Sequence, residues 1–259
     1  MSLQADRARQ FAALHVPGNP LILYNAWDAG SAKVIAGAGA KAIATGSWSV
    51  AAAHGYDDRE RLPLELALSN LERIVEAVKL PVTLDFESGY ATSPAGVSEN
   101  VAQVMVRGAV GFNFEDQVIG GAGLYSASDQ AARIAAARAA CERAGVPAYI
   151  NARTDVFLKT DRAQHDDALL DQALERARAY ADAGASGLFA PGLVDEALIG
   201  RLCDSLALPV NIYVMPQTPP ARRLAQLGVA RISHGPGPYR LAMKALEEAA
   251  RQAHGALET

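Results

Sequence analysis

Helical stretches of this chain stop repeatedly on a glycine set just before a short apolar run. The segments are Ala38-Gly39-Ala40, Arg107-Gly108-Ala109, Ala144-Gly145-Val146, Ala183-Gly184-Ala185 and Leu227-Gly228-Val229. A glycine there takes the left-handed backbone of a helix C-cap at little cost. The runs read as strands at Leu21–Asn25, Ala42–Thr45, Val82–Asp85, Gly111–Phe114, Ala148–Asn151, Gly187–Phe189, Val210–Tyr213 and Arg231–Ser233. Between them lie Ala-, Leu- and Arg-rich stretches with helical spacing: Leu64–Val78, Ser98–Arg107, Asp129–Ala144, Asp167–Ala183 and Pro220–Leu227. Alternation of this kind predicts an α/β (β/α)8 TIM barrel as one domain over residues 1–259. A doubly wound sheet is the competitor, but its Gly-x-Gly-x-x-Gly turn is missing from Tyr24-Asn25-Ala26-Trp27-Asp28-Ala29-Gly30.

A chain of 259 residues, 50% hydrophobic, suffices for one large core. Its net charge of −4 is mixed along the sequence, and no basic block points to nucleic acid. A membrane span is not expected, because no run of about 18 apolar residues occurs. The start of the chain has no apolar signal core. Cys141 and Cys203 fall on helical stretches and make no disulfide framework, so a cytoplasmic protein is expected. The last helix, about Pro238–His254, is amphipathic and suited to packing on a partner subunit.

In a barrel the active site forms where the strands end. Asp85 and Glu87 end the third strand, two residues apart, and on a strand such residues share a face. Two anions this close call for a cation or for protonation of one of them. Carboxylate oxygens suit a hard ion such as Mg²⁺ or Mn²⁺, and Glu115 at the next strand end can complete the shell directly or through water. Arg153 offers a planar fork for a carboxylate or phosphonate. Gly46 and Ser47 offer backbone N–H groups at the second strand end. Together these residues describe a site for a small anionic oxo acid.

Structural readings stand beside these. Asp85 and Glu87 can be a salt-bridged rim pair, Glu115 or Asp116 a cap, and Arg153 and Asp155 an ion pair. Asp58 lies in a charged run that reads as a solvated loop, and Asn211 can simply bond to backbone. His54 and His234 are possible acid–base groups or structural histidines. Trp27 and Trp48 read as packing residues, and Gly235-Pro-Gly-Pro as a turn rather than a phosphate cradle.

The motifs Asn25-Ala-Trp-Asp-Ala-Gly-Ser-Ala, Gly55-Tyr-Asp-Asp, Asp85-Phe-Glu-Ser-Gly-Tyr, Phe114-Glu-Asp-Gln and Asn151-Ala-Arg-Thr-Asp resemble the isocitrate lyase/phosphoenolpyruvate mutase superfamily, over about residues 18–245. The resemblance implies a (β/α)8 barrel, Mg²⁺, and a 2-oxo or 2-hydroxy acid cleaved through a metal-stabilised enolate. It implies a metal shell of Asp85, Glu87 and Glu115, with Gly46, Ser47 and Trp48 gripping a substrate carboxylate. It gives Asp58 a place beside the substrate, Arg153 the orientation of it, and Asn211 a strand-seven amide role. It implies a homo-oligomer, a tetramer in the family's habit, often with the last helix exchanged.

The departures bear on the reaction. The lyases carry a Lys-Lys/Arg-Cys-Gly-His loop after strand four, whereas this chain has Gln117-Val-Ile-Gly-Gly-Ala-Gly-Leu-Tyr-Ser-Ala. The lysine and asparagine of the mutase and phosphonopyruvate hydrolase loop are missing too, and Pro191 stands near the place of a lyase glutamate. Tyr125 and Ser126 are the hydroxyl candidates left in the loop. The reading is therefore a Mg²⁺-dependent C–C lyase or decarboxylase of a small 2-oxo or 2-hydroxy acid. Its rivals are P–C bond chemistry and a non-catalytic oxo-acid binder. A Schiff-base aldolase is disfavoured, since Lys33, Lys41, Lys79, Lys159 and Lys244 all fall outside the expected strands.

Overall fold

The strands pair in parallel throughout, as short apolar segments separated by helical crossovers must. The structure, a computed structural model, describes residues 2–255. Strands β1 (Leu21–Leu23), β2 (Ile43–Ala44), β3 (Val82–Asp85), β4 (Gly111–Glu115), β5 (Tyr149–Arg153), β6 (Gly187–Phe189), β7 (Val210–Tyr213) and β8 (Arg231–Ser233) form one sheet in the order β1-β8-β7-β6-β5-β4-β3-β2. β1 and β2 meet through the parallel Ala26–Thr45 bridge, and Asn25 Nδ2 donates to the Thr45 carbonyl there at 2.8 Å. The sheet thus curls into a nearly closed (β/α)8 barrel, and the pairing of β1 with β8 rules out the doubly wound alternative.

The helices are α1 (Leu3–Ala13), α2 (Ala29–Gly37), α3 (Ser47–Ala53), α4 (Leu64–Ala77), α5 (Pro94–Val106), α6 (Ala127–Arg143), α7 (Val156–Lys159), α8 (Asp167–Asp182), α9 (Glu196–Asp204), α10 (Ala221–Gln226) and α11 (Gly237–Gly255). The glycines Gly39, Gly108, Gly145, Gly184 and Gly228 all take left-handed backbone, as their sequence positions require. Helix α5 starts at Pro94 rather than Ser98, because Ser93 caps the Gly96 N–H and proline suits a first turn. Ser126 likewise starts α6 earlier than its hydrophobic spacing implied. Strands β4 and β5 run on to Glu115 and Arg153, whose backbones stay paired with each other.

The two faces of the barrel wall differ. Leu84, Phe112, Phe114, Ile150, Ala152, Leu188, Ile212 and Ile232 join helix residues such as Val101, Ile134 and Leu170 in one apolar cluster. The alternate positions point inward and are mostly polar: Thr83, Asp85, Asn113, Glu115, Asn151, Arg153, Asn211, Arg231 and Ser233. Barrel interiors are more often filled by branched apolar residues, whereas this lumen is mostly polar.

Helix α1 closes the opposite end. Gln4 Nε2 donates to the Met105 and Ala109 carbonyls, both at 2.8 Å. Phe11 stands edge-on to Tyr149 with ring centres 5.6 Å apart. Helix α11 behaves oppositely: Pro238 is its buried residue, while Leu241 and Leu246 lie exposed. Among the described residues no helix is long and apolar enough to cross a membrane. Removing the fully buried Phe11 ring by Phe11→Ala should cost about 3–5 kcal/mol in urea unfolding; a loss under 1 kcal/mol would show that α1 is not part of the cooperative core.

Candidate active site

Strand and loop ends converge on a cavity of about 190 Å³ at the C-terminal mouth of the barrel. Gly46, Ser47, Trp48, Asp58, Asp85 and Arg153 all line it, as the sequence led one to expect. Asn25, Asn113, Phe189, Tyr213 and Ser233 line it too, and none of them was given a site role from the sequence. The signal for three of them was present: Asn113, Tyr213 and Ser233 each sit two residues from another inward polar or pocket position.

Asp85 is held by three donors. Its Oδ2 accepts from the Ser47 N–H (2.9 Å) and Ser47 Oγ (2.8 Å), and its Oδ1 accepts from Asn113 Nδ2 (3.1 Å). The expected Gly46–Ser47 cradle for a substrate carboxylate is therefore engaged within the protein. Ser47 N–H serves Asp85, and Gly46 N–H donates to the Ala26 carbonyl at 3.3 Å. The reason is local: Gly46 is the N-cap of the short helix α3, which aims its first N–H groups at the neighbouring strand end.

Glu87 does not share a strand face with Asp85. Strand β3 ends at Asp85, and Glu87 adopts left-handed backbone with φ 48°. Its side chain turns toward the loop after α3, where Oε2 accepts the Glu60 N–H at 2.8 Å. Glu60 answers by accepting the Ser88 and Tyr90 N–H groups, so the Asp58-bearing loop is latched to the end of β3. Arg59, Glu60 and Tyr90 also have positive φ. Left-handed backbone at four non-glycine residues is strain that collects where geometry is over-determined.

Arg153 is clamped by acids. Nε and Nη2 donate to Asp155 Oδ1 and Oδ2 at 2.6 and 3.0 Å, and Nη1 meets Glu115 Oε2 at 2.8 Å. The bidentate fork expected for substrate thus faces Asp155, and the N–H groups left on Nη1 and Nη2 are what a ligand can reach. Asp116 is structural: it accepts the Asp155 N–H and the Tyr180 hydroxyl and pairs with Arg176. Asn211 does not line the cavity. It lies deeper, level with Arg231, and its Oδ1 accepts from Ser233 Oγ at 3.2 Å.

The remaining candidates have other duties. Ser126 caps α6, and the Tyr125 ring lies 4.0 Å from the Arg133 guanidinium. His54 Nδ1 bonds the Val50 carbonyl, and burial lowers the pKa of His234. Trp27 and Trp48 both pack edge-on to Tyr239, although Trp48 also walls the cavity. Gly235 turns the chain into α11 and donates its N–H to Asn25 Oδ1 at 2.8 Å. Cys141 and Cys203 are free.

Acids outnumber bases here, and their titration reflects it. Burial, then the charges of Asp58, Glu115 and Asp85, pushes Glu87 up to about 9. Burial raises Glu115 while the Arg153 guanidinium opposes it. Burial and the charge of Asp85 raise Asp58, against the Arg59 N–H and Arg153, and Asp58 Oδ1 is buried with no hydrogen-bond partner. Such a set fits a hard cation by charge and by donor chemistry. Among the described residues, however, no three His, Cys, Asp or Glu side chains stand together as a metal-holding group.

Residues 11–254 match the family model described as phosphoenolpyruvate phosphomutase. The chain belongs to the phosphoenolpyruvate phosphomutase family. Its fold is shared with a Burkholderia cenocepacia J2315 protein whose phosphonomutase assignment is itself provisional, at TM-score 0.94 and 52% identity over 96% of this chain and 99% of the other. It is 29% identical to 2-methylisocitrate lyase of Escherichia coli K12, over 85% of this chain and 74% of that enzyme. It is 27% identical to oxaloacetate decarboxylase of Ectopseudomonas mendocina, over 78% and 68% respectively. As a phosphoenolpyruvate phosphomutase family member the chain is an enzyme of the mutase and lyase superfamily, and the spread of reactions among its relatives leaves the bond it breaks to its own residues.

The raised carboxyl groups set a sign for stability. A folded-state pKa above the ordinary value of 4.5 means that Glu87 favours folding below that value and loses the contribution as pH rises toward about 9. Metal-free protein should therefore lose thermal stability from pH 5 to pH 9 (roughly the window between the two values), and Glu87→Gln should flatten the decline. An equally steep decline in the variant would show that Glu87 is not the group responsible.

Proposed function

We propose that the protein is a divalent-metal-dependent lyase or decarboxylase that breaks a C–C bond in a small 2-oxo or 2-hydroxy carboxylic acid. The observation that carries this reading is the composition of the cavity. Asp58 and Asp85 face one guanidinium, Arg153, across about 190 Å³, and among the described residues no lysine, histidine or cysteine lines the wall. Asp85 would anchor Mg²⁺ or Mn²⁺, with Glu87 and Glu115 acting through intervening water. The ion would supply a Lewis acid that draws electron density from the substrate carbonyl.

The chain's own groups supply the rest. Arg153, whose pKa is held well above its ordinary value by Glu115 and Asp155 despite burial, stays cationic and binds a substrate carboxylate. Leu158, Phe189, Pro191 and Tyr213 form the less polar wall and keep water from the reacting carbon. Asp58, unpaired at Oδ1, moves the proton. In a 2-hydroxy acid with a carboxylate on C3 it takes the hydroxyl proton as the C2–C3 bond breaks, C2 becomes a carbonyl, the electron pair passes to C3 as an enolate, and the proton held by Asp58 then returns to C3. In a 2-oxo acid that loses CO₂ it returns a proton to the enolate carbon. Neither course needs the cysteine loop to form the enolate, which is why the glycine-rich segment 117–127 is compatible with catalysis.

A phosphonate reaction is the second reading, favoured by the 52% identical phosphonomutase-named neighbour. A phosphonyl group carries more negative charge than a carboxylate, and the single cavity-lining cation argues against it. Pyruvate, glyoxylate and CO₂ release should be screened across 2-oxo and 2-hydroxy di- and tricarboxylates with and without Mg²⁺. Turnover should fall roughly 10²–10⁴-fold in Asp58→Asn, and Asp85→Asn should lose Mg²⁺-dependent oxalate binding. Preference for sulfopyruvate over oxaloacetate would instead support P–C chemistry, and oxo-acid binding with no turnover would leave a binder.

The assembly belongs to the same proposal: a homo-oligomer in which α11 packs on another subunit. Leu241 and Leu246 lie exposed on that helix, and an apolar groove lined by Ile22, Tyr24 and Val34 lies open beside β1 and α2. Light scattering should give a multiple of 27.2 kDa for the parent protein and a monomer for Leu241→Asp/Leu246→Asp; a monomeric parent would refute it.

A further inference from the structure

Arg231 is an arginine inside the barrel, 1% exposed, at the first position of β8. A guanidinium buried without compensation is costly, yet no carboxylate bonds to this one. Its Nε donates to Ser233 Oγ at 3.2 Å and its Nη2 to Asn113 Oδ1 at 3.1 Å, while Nη1 is buried with no partner. Burial lowers its pKa to about 10, against the Tyr149 phenol and then the Asp85 carboxylate, which favour the charged form. Apolar packing alone does not call for a cation at this place.

The chemistry of Asn113 does. An arginine side chain only donates, so Asn113 must present its oxygen to Arg231. Asn151 Nδ2 donates to the same oxygen at 2.9 Å. With both donors on Oδ1, the amide cannot flip, and its NH₂ must face Asp85, to which it donates at 3.1 Å. We propose that Arg231 is a positioning residue that fixes the Asn113 amide and thereby keeps the Asp85 carboxylate turned toward the cavity. The inference rests on the reading of Asp85 as the anchor of the site. It adds a member that touches neither substrate nor metal.

The variants Arg231→Met, Asn113→Leu and their combination separate positioning from the alternatives. A charge acting alone would repel a divalent cation, so its removal would tighten Mg²⁺ binding. Positioning demands the reverse. Calorimetric Mg²⁺ affinity should fall roughly tenfold or more in R231M, fall comparably in N113L, and fall no further in the double variant. A crystal structure of metal-free R231M should show Asn113 rotated and Asp85 without that donor. Unchanged or tighter Mg²⁺ binding in R231M, additive losses, or a wild-type Asn113–Asp85 pair in R231M would overturn the proposal. Should R231M not fold, the crystal structure of N113L decides: Asp85 left in its wild-type position overturns it, and Asp85 turned away supports it. If the parent protein binds no Mg²⁺, the metal reading fails by itself, and the crystal structures alone decide the role of Arg231.

Discussion

Arg153 binds two buried acids at once, Glu115 through Nη1 and Asp155 through Nε and Nη2. That clamp ties the ends of β4 and β5 together, because Glu115 and Arg153 are also paired in backbone register. Asp116 extends the tie by accepting the Asp155 N–H and reaching Arg176 and Tyr180 on α8. Buried ion pairs of this kind add little net stability over apolar packing, but removing one partner strands the other. The consequence is positional: Glu115, Asp155 and Asp116 cannot relax away from the ends of β4 and β5, so their mutual repulsion is held there.

A lumen that polar needs the rest of the wall to be apolar. The outward residues of the strands provide this, with Phe112, Phe114 and Ile150 fully buried against the helices. The period-two alternation is visible in Thr83-Leu-Asp-Phe-Glu, Gly111-Phe-Asn-Phe-Glu and Tyr149-Ile-Asn-Ala-Arg. Strands covered on both faces usually read as continuous apolar runs. Polar residues at every second place therefore mark the inner face, where Asp85 and Asn113 stand side by side in register.

Some of the site was misjudged for a physical reason. Glu87 was assigned a face by extending β3 two residues too far, and no local signal showed that the backbone would turn left-handed there. Asn211 sits on the inner face as its strand position implies, level with Arg231 and outside the cavity lining, with its Nδ2 buried and unpartnered. The Ser47 N–H is bonded to Asp85 because a short helix begins at the end of β2, in a stretch whose composition resembles a link. Each of these depends on where an element ends, which is set by competing hydrogen bonds rather than by residue type.

Periodicity and glycine placement determined the barrel, the order of its strands and the rim on which acids gather, because strand and helix repeats and the left-handed cap are properties of local sequence. The family followed from motifs spread over the whole chain. Tertiary structure alone decided which hydrogens Arg153 has left for a ligand, that Glu87 answers to Glu60, and that Arg231 reaches Asp85 through Asn113. The Glu60–Glu87 and Arg231–Asn113 contacts join residues 27 and 118 positions apart, and at such separations only the closed barrel sets which donor meets which acceptor.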